Sequence, residues 1–404
     1  MSDALLQPHY ADAFRCIGSD CDDNCCGGWT VFVDKATYKK YRATPSLRQL
    51  TAKHLERVAE SRDTFKYARI RLRDGRCPFL AADKLCSIQK RHGAEFLSKT
   101  CSRYPRAWMR FDGRLQKALL LSCPEAARLV LLSPQLLPAV ESLEDSQNTS
   151  ESQKPSLAQH LRCLALGLLQ ERNYPLWQRL FVLGIVCRRI GELIAVQAAA
   201  KAPQLIAQYA GMMLRGELRT HLDGIPVRLE PQLDLVMRLI RLRFQVEQPR
   251  DDFAKMVAEF LLSINYSPGT PPAQSAALYA DAHTRYYRPF AQQHPAFLEN
   301  YLVNYIFCSR FPFAGTAPHT GSSVDPVGAF LLMASHYRLL HSLLIGSAAR
   351  YREGFSNAHA TRVVQVFARA VEHNFRFLEE LRTLLASSNL QQTDMLALLL
   401  RNQE

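Results

Sequence analysis

Apolar residues recur at three- and four-residue steps through most of the second half of this chain, the pattern of amphipathic or buried helices. The segments SLAQHLRCLALGLLQERN, LWQRLFVLGIVCRRIGELIAVQAAA, LDLVMRLIRLRFQ and TRVVQVFARAVEHNFRFLEELRTLLA carry it, with Pro175, Pro203 and Pro231 standing between segments. They predict an α-helical domain over residues 157–404. The first third reads differently. GWTVFVD alternates as a short strand would, while ATPSLRQLTAKHLERVAES spaces Leu47, Leu50, Leu55 and Val58 along one helix face. Asp-Gly pairs lie between extended runs in FKYARIRLRDGRCPFL and WMRFDGRLQKALLLSC, a signal for hairpin turns. Residues 1–142 are therefore expected to form a small α+β module with cysteines at its turns. A polar stretch, LEDSQNTSESQKPS at 143–156, reads as the linker to the helical domain. The fold class is mainly α, and no fixed-period repeat is visible.

A chain of 404 residues buries enough core to be stable without disulfide staples. Its start, MSDALLQPHYADAFRC, lacks the basic segment and apolar stretch of a secretion signal, which points to the cytoplasm, where thiols stay reduced. No apolar run reaches the roughly 18–20 residues that a membrane span needs. PVGAFLLMASHYRLLHSLLIG comes nearest, but His336, Arg338 and His341 interrupt it and make it a buried helix in expectation. The formal charge is +13, and residues 1–142 hold 24 Lys+Arg against 15 Asp+Glu, a surplus of +9 that favours contact with something acidic.

The cysteines change the picture most. Eight of the eleven precede residue 124: Cys16, Cys21, Cys25, Cys26, Cys77, Cys86, Cys101 and Cys123. Cys163, Cys187 and Cys308 sit instead in apolar helical segments, where a cysteine behaves as a small hydrophobe. A dense cysteine group in a reducing compartment points to metal. PFLAADKL between Cys77 and Cys86 reads as a turn that brings the two together, and Pro124 places Cys123 at the first turn of a helix. Zinc sites favour C-x2-4-C pairs, whereas the spacings here are x4, x3 and zero, then x8, x14 and x21. Adjacent cysteines such as Cys25 and Cys26 point apart in most backbone conformations. An iron–sulfur cluster, with several irons, accommodates that spacing more readily than one zinc ion.

Four blocks carry a resemblance: PHYADAFRCIGSDCDDNCCGGWTVFVDKATYKKY, CPFLAADKLCSIQKRHGAEFLSKTCSRYPR, ALLLSCPEAARL and NYLVNYIFCSRFPF. Together they resemble the bacterial flagellin lysine-N-methylase family, and the first two also resemble a broader set of zinc- or iron-chelating cysteine-cluster proteins. The resemblance implies transfer of the methyl group of S-adenosylmethionine to lysine ε-amino groups of flagellin before export. It also implies a 4Fe-4S cluster held by N-terminal cysteines, all eight of which fall on family positions. Which four hold the cluster, and whether the others hold a second metal, stays open. A metal-chelating or iron–sulfur electron-transfer protein without methylase activity is the alternative, and a zinc-stabilised adaptor a third.

Conventional donor binding would use a glycine-rich turn after a strand, yet the chain has no G-x-G. Cys21 and Cys25 give the C-x3-C of a radical S-adenosylmethionine motif, but Cys26 breaks its third spacing. Methylation needs a neutral amine, whereas lysine titrates near about 10.4, so burial or a base must remove its proton. Tyr301, Tyr305 and Glu299 are the catalytic candidates, with Asn300 and Asn304 as amide partners. Alternatively NYLVNYIF is a buried helix whose tyrosines and asparagines satisfy one another. Arg103, Arg106, Arg110 and Arg114 interleave with aromatics as in a nucleic-acid groove, but Asp112-Gly113 breaks the stripe. A solvated surface is the reading there, and nucleic acid and membrane are not expected partners. His54 and His92 read as surface or packing residues.

Overall fold

The aliphatic positions collect into two cores in a computed structural model that describes residues 8–137, 155–313, 323–387 and 393–403, apart from residues 9, 24, 28, 59–62, 113 and 402. The smaller core gathers Val31, Val33, Tyr41, Leu47, Leu55, Ala68, Ile70, Cys77, Phe79 and Ile88. It lies under an antiparallel sheet of β1 (Phe32–Val33), β2 (Leu55–Arg57) and β3 (Ala68–Ile70), with β3 in the middle. Asp34 starts the Lys35–Ala43 helix by accepting the Thr37 amide at 3.1 Å, and its other oxygen accepts the Lys99 amide at 3.0 Å. One carboxylate thus fixes a helix start and the segment leading to Cys101.

The helix expected through Val58 ends at His54 instead, and Leu55 opens β2 opposite Ile70. Pairing explains the difference: His54 accepts the Arg71 amide at 2.8 Å and Val58 donates to Tyr67 at 3.1 Å, bonds that a continuing helix would forfeit. Leu55 is buried in either conformation, so its spacing could not distinguish them.

The first Asp-Gly turn is sharp. Asp74 and Gly75 take φ of 49° and 73°, and Arg73 and Arg76 exchange two 2.8 Å backbone bonds across them. Asp112, at φ 50°, begins the turn between β4 (Arg106–Phe111) and β5 (Arg114–Leu119), which pair along their full length. From Ala118 onward the chain enters the larger core. Leu119, Leu121, Val130 and Leu131 pack there with Tyr10 and Phe14, among helices of the second half. Most of the 143–156 linker lies outside the described residues, but its last residue begins a helix. Ser156 accepts the Gln159 amide at 3.2 Å while Gln159 accepts the Ser156 amide at 3.0 Å, closing a capping box on Leu157–Gln170.

The interrupted apolar run forms the Pro326–Tyr351 helix, buried on all sides from Phe330 to Ala348, as its all-round hydrophobicity requires. No described helix is long and apolar enough to cross a membrane. Buried Arg338 is satisfied by the C-terminal end of Thr393–Leu400, donating to Leu399 O at 2.8 Å and Arg401 O at 3.2 Å. Gly346 lets the Asp251–Ser263 helix approach closely: a Cβ there would stand 2.8 Å from the Phe260 Cα. Gly346→Ala should therefore lose about 1–3 kcal/mol despite the better helix propensity of alanine, read from the urea midpoint at unchanged slope.

The expected single run TRVVQVFARAVEHNFRFLEELRTLLA is broken. The Asn357–Phe367 helix widens into a π turn at Ala368–Glu372, and a new helix begins at Phe375. Such turns carry no propensity signature and redirect the residues at their end. Here that residue is Glu372.

Candidate active site

The local scaffolds of the cysteines follow from short elements. Cys16 and Cys21 flank the Gly18–Asp20 turn, and the Cys77 amide donates to Cys26 O at 2.7 Å, joining the first cysteine group to the second. Leu80 bridges Cys86, so the expected turn between Cys77 and Cys86 is formed. Cys86 caps the Ser87–His92 helix, Cys101 lies inside Lys99–Arg103, and Cys123 caps Pro124–Leu131 with Pro124 in its first turn. No described cysteine is joined in a disulfide.

Three of their sulfurs meet. Cys25, Cys26 and Cys77 form a hydrogen-bonded chain of thiols with Cys26 in the middle, so the adjacent pair expected to point apart comes together. The Cys26 bond lowers the Cys25 thiol to about 7, against burial and with help from Arg369. Burial pushes Cys101 and Cys123 up to about 12, each also within electrostatic range of Cys25. Cys86 feels Cys77 and Cys25, and Cys21 feels Cys16 and Cys25, so all eight are linked, with Cys25 at the centre. Among the described residues no group of three or more His, Cys, Asp or Glu side chains is arranged to hold a metal ion.

A clasp holds this cysteine loop to the helices. Asp23 accepts from Arg362 at 2.8 Å, from Gln365 at 3.0 Å and from Arg369. Burial would raise its carboxyl, but these donors hold it at about 2. Gln365 also donates to Ser122 O at 3.1 Å, and Arg369 and Arg250 both reach Gly27 O. An open polar cleft of about 910 Å3 runs beside the clasp, lined by Asp22, Asp74, Arg76, Cys77, Lys84 and Asp252 among others.

A second cavity, of about 710 Å3, lies between β4 and the helices. Met109, Leu120, Phe313, Leu332 and Leu378 make its apolar wall, and Tyr305, Cys308, His336 and Glu372 are polar groups within it. Tyr301 donates to Glu372 Oε1 at 2.8 Å. The cavity approaches the cysteines through His373, 2.8 Å from Ser122 Oγ, which precedes Cys123 and also meets Tyr104 OH at 3.1 Å. Tyr104 packs on Trp29, whose indole donates to Cys25 O at 2.8 Å.

The structure separates the residues proposed from NYLVNYIF, all on the buried Phe297–Ser309 helix. Tyr305 lines the cavity and Tyr301 bonds Glu372. Glu299 is elsewhere, bound by Arg172 at 2.8 Å and Arg179 at 3.0 Å. The asparagines do not satisfy the tyrosines of that helix. Asn300 donates to Leu131 O and Ser133 O, while Asn304 donates to Leu119 O and accepts from Tyr10. Of the arginine stripe, Arg106 packs on Phe14 and donates to its carbonyl, and Arg103 stands over Phe65 at the cavity. His54 is buried against Phe79, and His92 packs on Phe96.

Glu372 escaped the sequence reading. Its one signal is an acidic side chain following Val371 inside a stretch otherwise spaced as a helix.

A family model described as the FliB lysine N-methylase C-terminal domain matches residues 162–399. That segment contains Tyr301, Tyr305, His336 and Glu372, whereas the eight clustered cysteines precede it. The lysine-N-methylase of Salmonella typhimurium strain LT2 is 24% identical over 397 residues, covering 94% of this chain and 96% of the relative. A lysine-N-methylase of Salmonella choleraesuis matches to the same extent. The flagellar biosynthetic protein FliU of Salmonella muenchen is 34% identical over 147 residues, 36% of this chain and 87% of that protein. No solved structure matches. With more than half its length matched by the family model, the chain belongs to the FliB lysine N-methylase family.

Proposed function

We propose that this chain is a cytoplasmic protein-lysine N-methyltransferase that uses S-adenosylmethionine to methylate lysines of flagellin. The observation that carries the reading is the 710 Å3 cavity, which lies largely within the family-matched segment and sets the Glu372 carboxyl, bonded by Tyr301, and the Tyr305 hydroxyl against an apolar wall. Its shape of chemistry suits a lysine: the apolar wall accepts the four-methylene stem and the polar groups meet the nitrogen.

The reaction forms one N–C bond and breaks one C–S bond. The lone pair of the neutral amine attacks the sulfonium methyl group, and the departing sulfur keeps the C–S electron pair as a thioether. Positive charge spreads along N, C and S in the transition state, so an apolar cavity that excludes water disfavours it less than it disfavours the localised charges at the start. Met109, Leu120 and Leu332 supply that environment. Burial also lowers the pKa of the entering ammonium.

A 4Fe-4S cluster fits the donor chemistry of the cysteine group, which offers soft thiol ligands outside any disulfide, three of which, Cys25, Cys26 and Cys77, meet from two chain segments. Its ligands would be drawn from Cys16, Cys21, Cys25, Cys26, Cys77, Cys86, Cys101 and Cys123. Bound there, the cluster would supply an iron site for the amino and carboxylate groups of the methyl donor. The clasp of Asp23 with Arg362, Gln365 and Arg369 keeps the cysteine loop docked beside the helices that line the cavity.

The test is to purify the protein anaerobically, assay iron and sulfide, and incubate it with flagellin and methyl-labelled S-adenosylmethionine. Methyl-lysine in flagellin peptides by mass spectrometry is the expected result. Absence of label on flagellin from a protein with a full cluster would overturn the reading and favour an electron-transfer role.

A further inference from the structure

We infer that Glu372 receives the proton of the substrate lysine: the side chain enters the 710 Å3 cavity, its ammonium meets the Glu372 carboxylate, and the proton passes to carboxylate oxygen before methyl transfer. The assignment rests on the methyltransferase reading above. Lys-NH3+ and Glu-COO− become Lys-NH2 and Glu-COOH, and the freed nitrogen lone pair then attacks the methyl carbon of the sulfonium donor. The proton leaves to solvent when product departs.

Three features of the geometry support it. Glu372 is the last residue of the π turn, which ends the Asn357–Phe367 run and puts its carboxyl against the cavity. Its one hydrogen bond comes from the neutral Tyr301 hydroxyl, and among the described residues no cation is paired with it. Glu372 is half-buried, and a carboxylate set against an apolar cavity ordinarily has a cationic partner, which an entering ammonium would be. His336, 2% exposed, lines the same cavity with neither ring nitrogen hydrogen-bonded. It offers an acceptor to the second proton of the nitrogen.

Other ionisable groups face this carboxyl from every side. Tyr301, Tyr305 and Cys308 come from the Phe297–Ser309 helix, Arg310 follows them, and His336 comes from Pro326–Tyr351. His373 adjoins it, Asp63, Lys66 and Arg103 line the module side, and Arg382 acts on Tyr305 while paired to Asp325. Burial pulls His336 down to about 3, so it is a neutral acceptor and not a competing cation. Burial raises Glu372 to about 7, against the lowering effect of the Tyr301 hydrogen bond. The base is therefore ionised above that pH, and activity should rise with pH through it. For the same reason its contribution to stability is fully present below the ordinary carboxylate range and is lost as pH rises through about 7.

The experiment compares the full-length protein, its cluster in place, with E372Q and Tyr301→Phe. Single-turnover methyl transfer to flagellin should fall about 10²-fold or more in E372Q and lose its rising pH limb. Tyr301→Phe should move the midpoint of that limb upward. A second readout needs no turnover: n-butylamine should raise the melting temperature of the parent protein at alkaline pH and leave E372Q unmoved. E372Q should itself melt no lower than the parent at that pH. Transfer by E372Q at the parental rate and pH profile, or equal stabilisation of both proteins by the amine, would overturn the assignment. A parent that transfers no methyl but binds the amine only through Glu372 would keep the amine site and sink the methyltransferase reading.

Discussion

Glu299→Ala will unfold about 3–5 kcal/mol more easily than the parent, the usual cost of removing one partner from a buried ion pair. Glu299 and Arg179 are 3% and 6% exposed, and the carboxylate is shared: Arg179 reaches one oxygen at 3.0 Å, Arg172 the other at 2.8 Å. Arg179 also donates to Leu169 O at 2.5 Å and Tyr174 O at 2.7 Å. Those bonds prevent it from turning to water when the carboxylate is gone, so a charge is stranded between the Leu157–Gln170 and Leu176–Ala195 helices. Urea denaturation is the measurement, with Arg172→Ala as comparison. Arg172 is about half exposed, and its loss should cost no more than about 1 kcal/mol. Equal costs for the two, or a Glu299 variant that stays as stable as the parent while losing methyl transfer, would restore Glu299 as a catalytic candidate.

The second large effect concerns metal. Cys25→Ser should reduce bound iron and sulfide to background and abolish methyl transfer, because Cys25 acts electrostatically on cysteines of both groups: Cys21 in the first, and Cys86, Cys101 and Cys123 in the second. Helical content should hold, since the larger core is built without Cys25. Cys163→Ser is the control. That thiol lies on the Leu157–Gln170 helix, outside the group, and its loss should leave iron unchanged. Elemental analysis with an absorption spectrum decides the matter. Full iron in Cys25→Ser would remove it from the ligand set, and zinc in place of iron in the parent would overturn the cluster.

Legibility differed by element for physical reasons. The Asp74-Gly75 turn, the first turn at Pro124 and the approach of Cys77 to Cys86 were legible because each depends on residues within about ten positions. The buried Pro326–Tyr351 helix was legible because burial on all sides leaves an apolar run without a polar face. The end of the Pro45–His54 helix was not, since the strand partner that captures Leu55 lies at Ile70 and its pull has no trace in local spacing. Nor was Glu372. The π turn that aims it shifts the helical phase, so a position that a regular helix would hold at the surface turns toward a cavity. The Asp23 clasp was invisible for a simpler reason. Its donors lie more than 330 residues away.

That separation bears on how the protein is made. Tyr10 leaves the ribosome 294 residues ahead of Asn304, the amide that accepts its hydroxyl proton. Leu119, Leu121 and Val130 likewise emerge with their packing partners still untranslated, while the sheet of β1, β2 and β3 already has its own small core. Cys77 is thus enclosed early by that core, whereas the loop that carries Asp23 stays undocked until Arg362 and Arg369 arrive to lock it. Docking of that loop therefore waits until synthesis has passed Arg369.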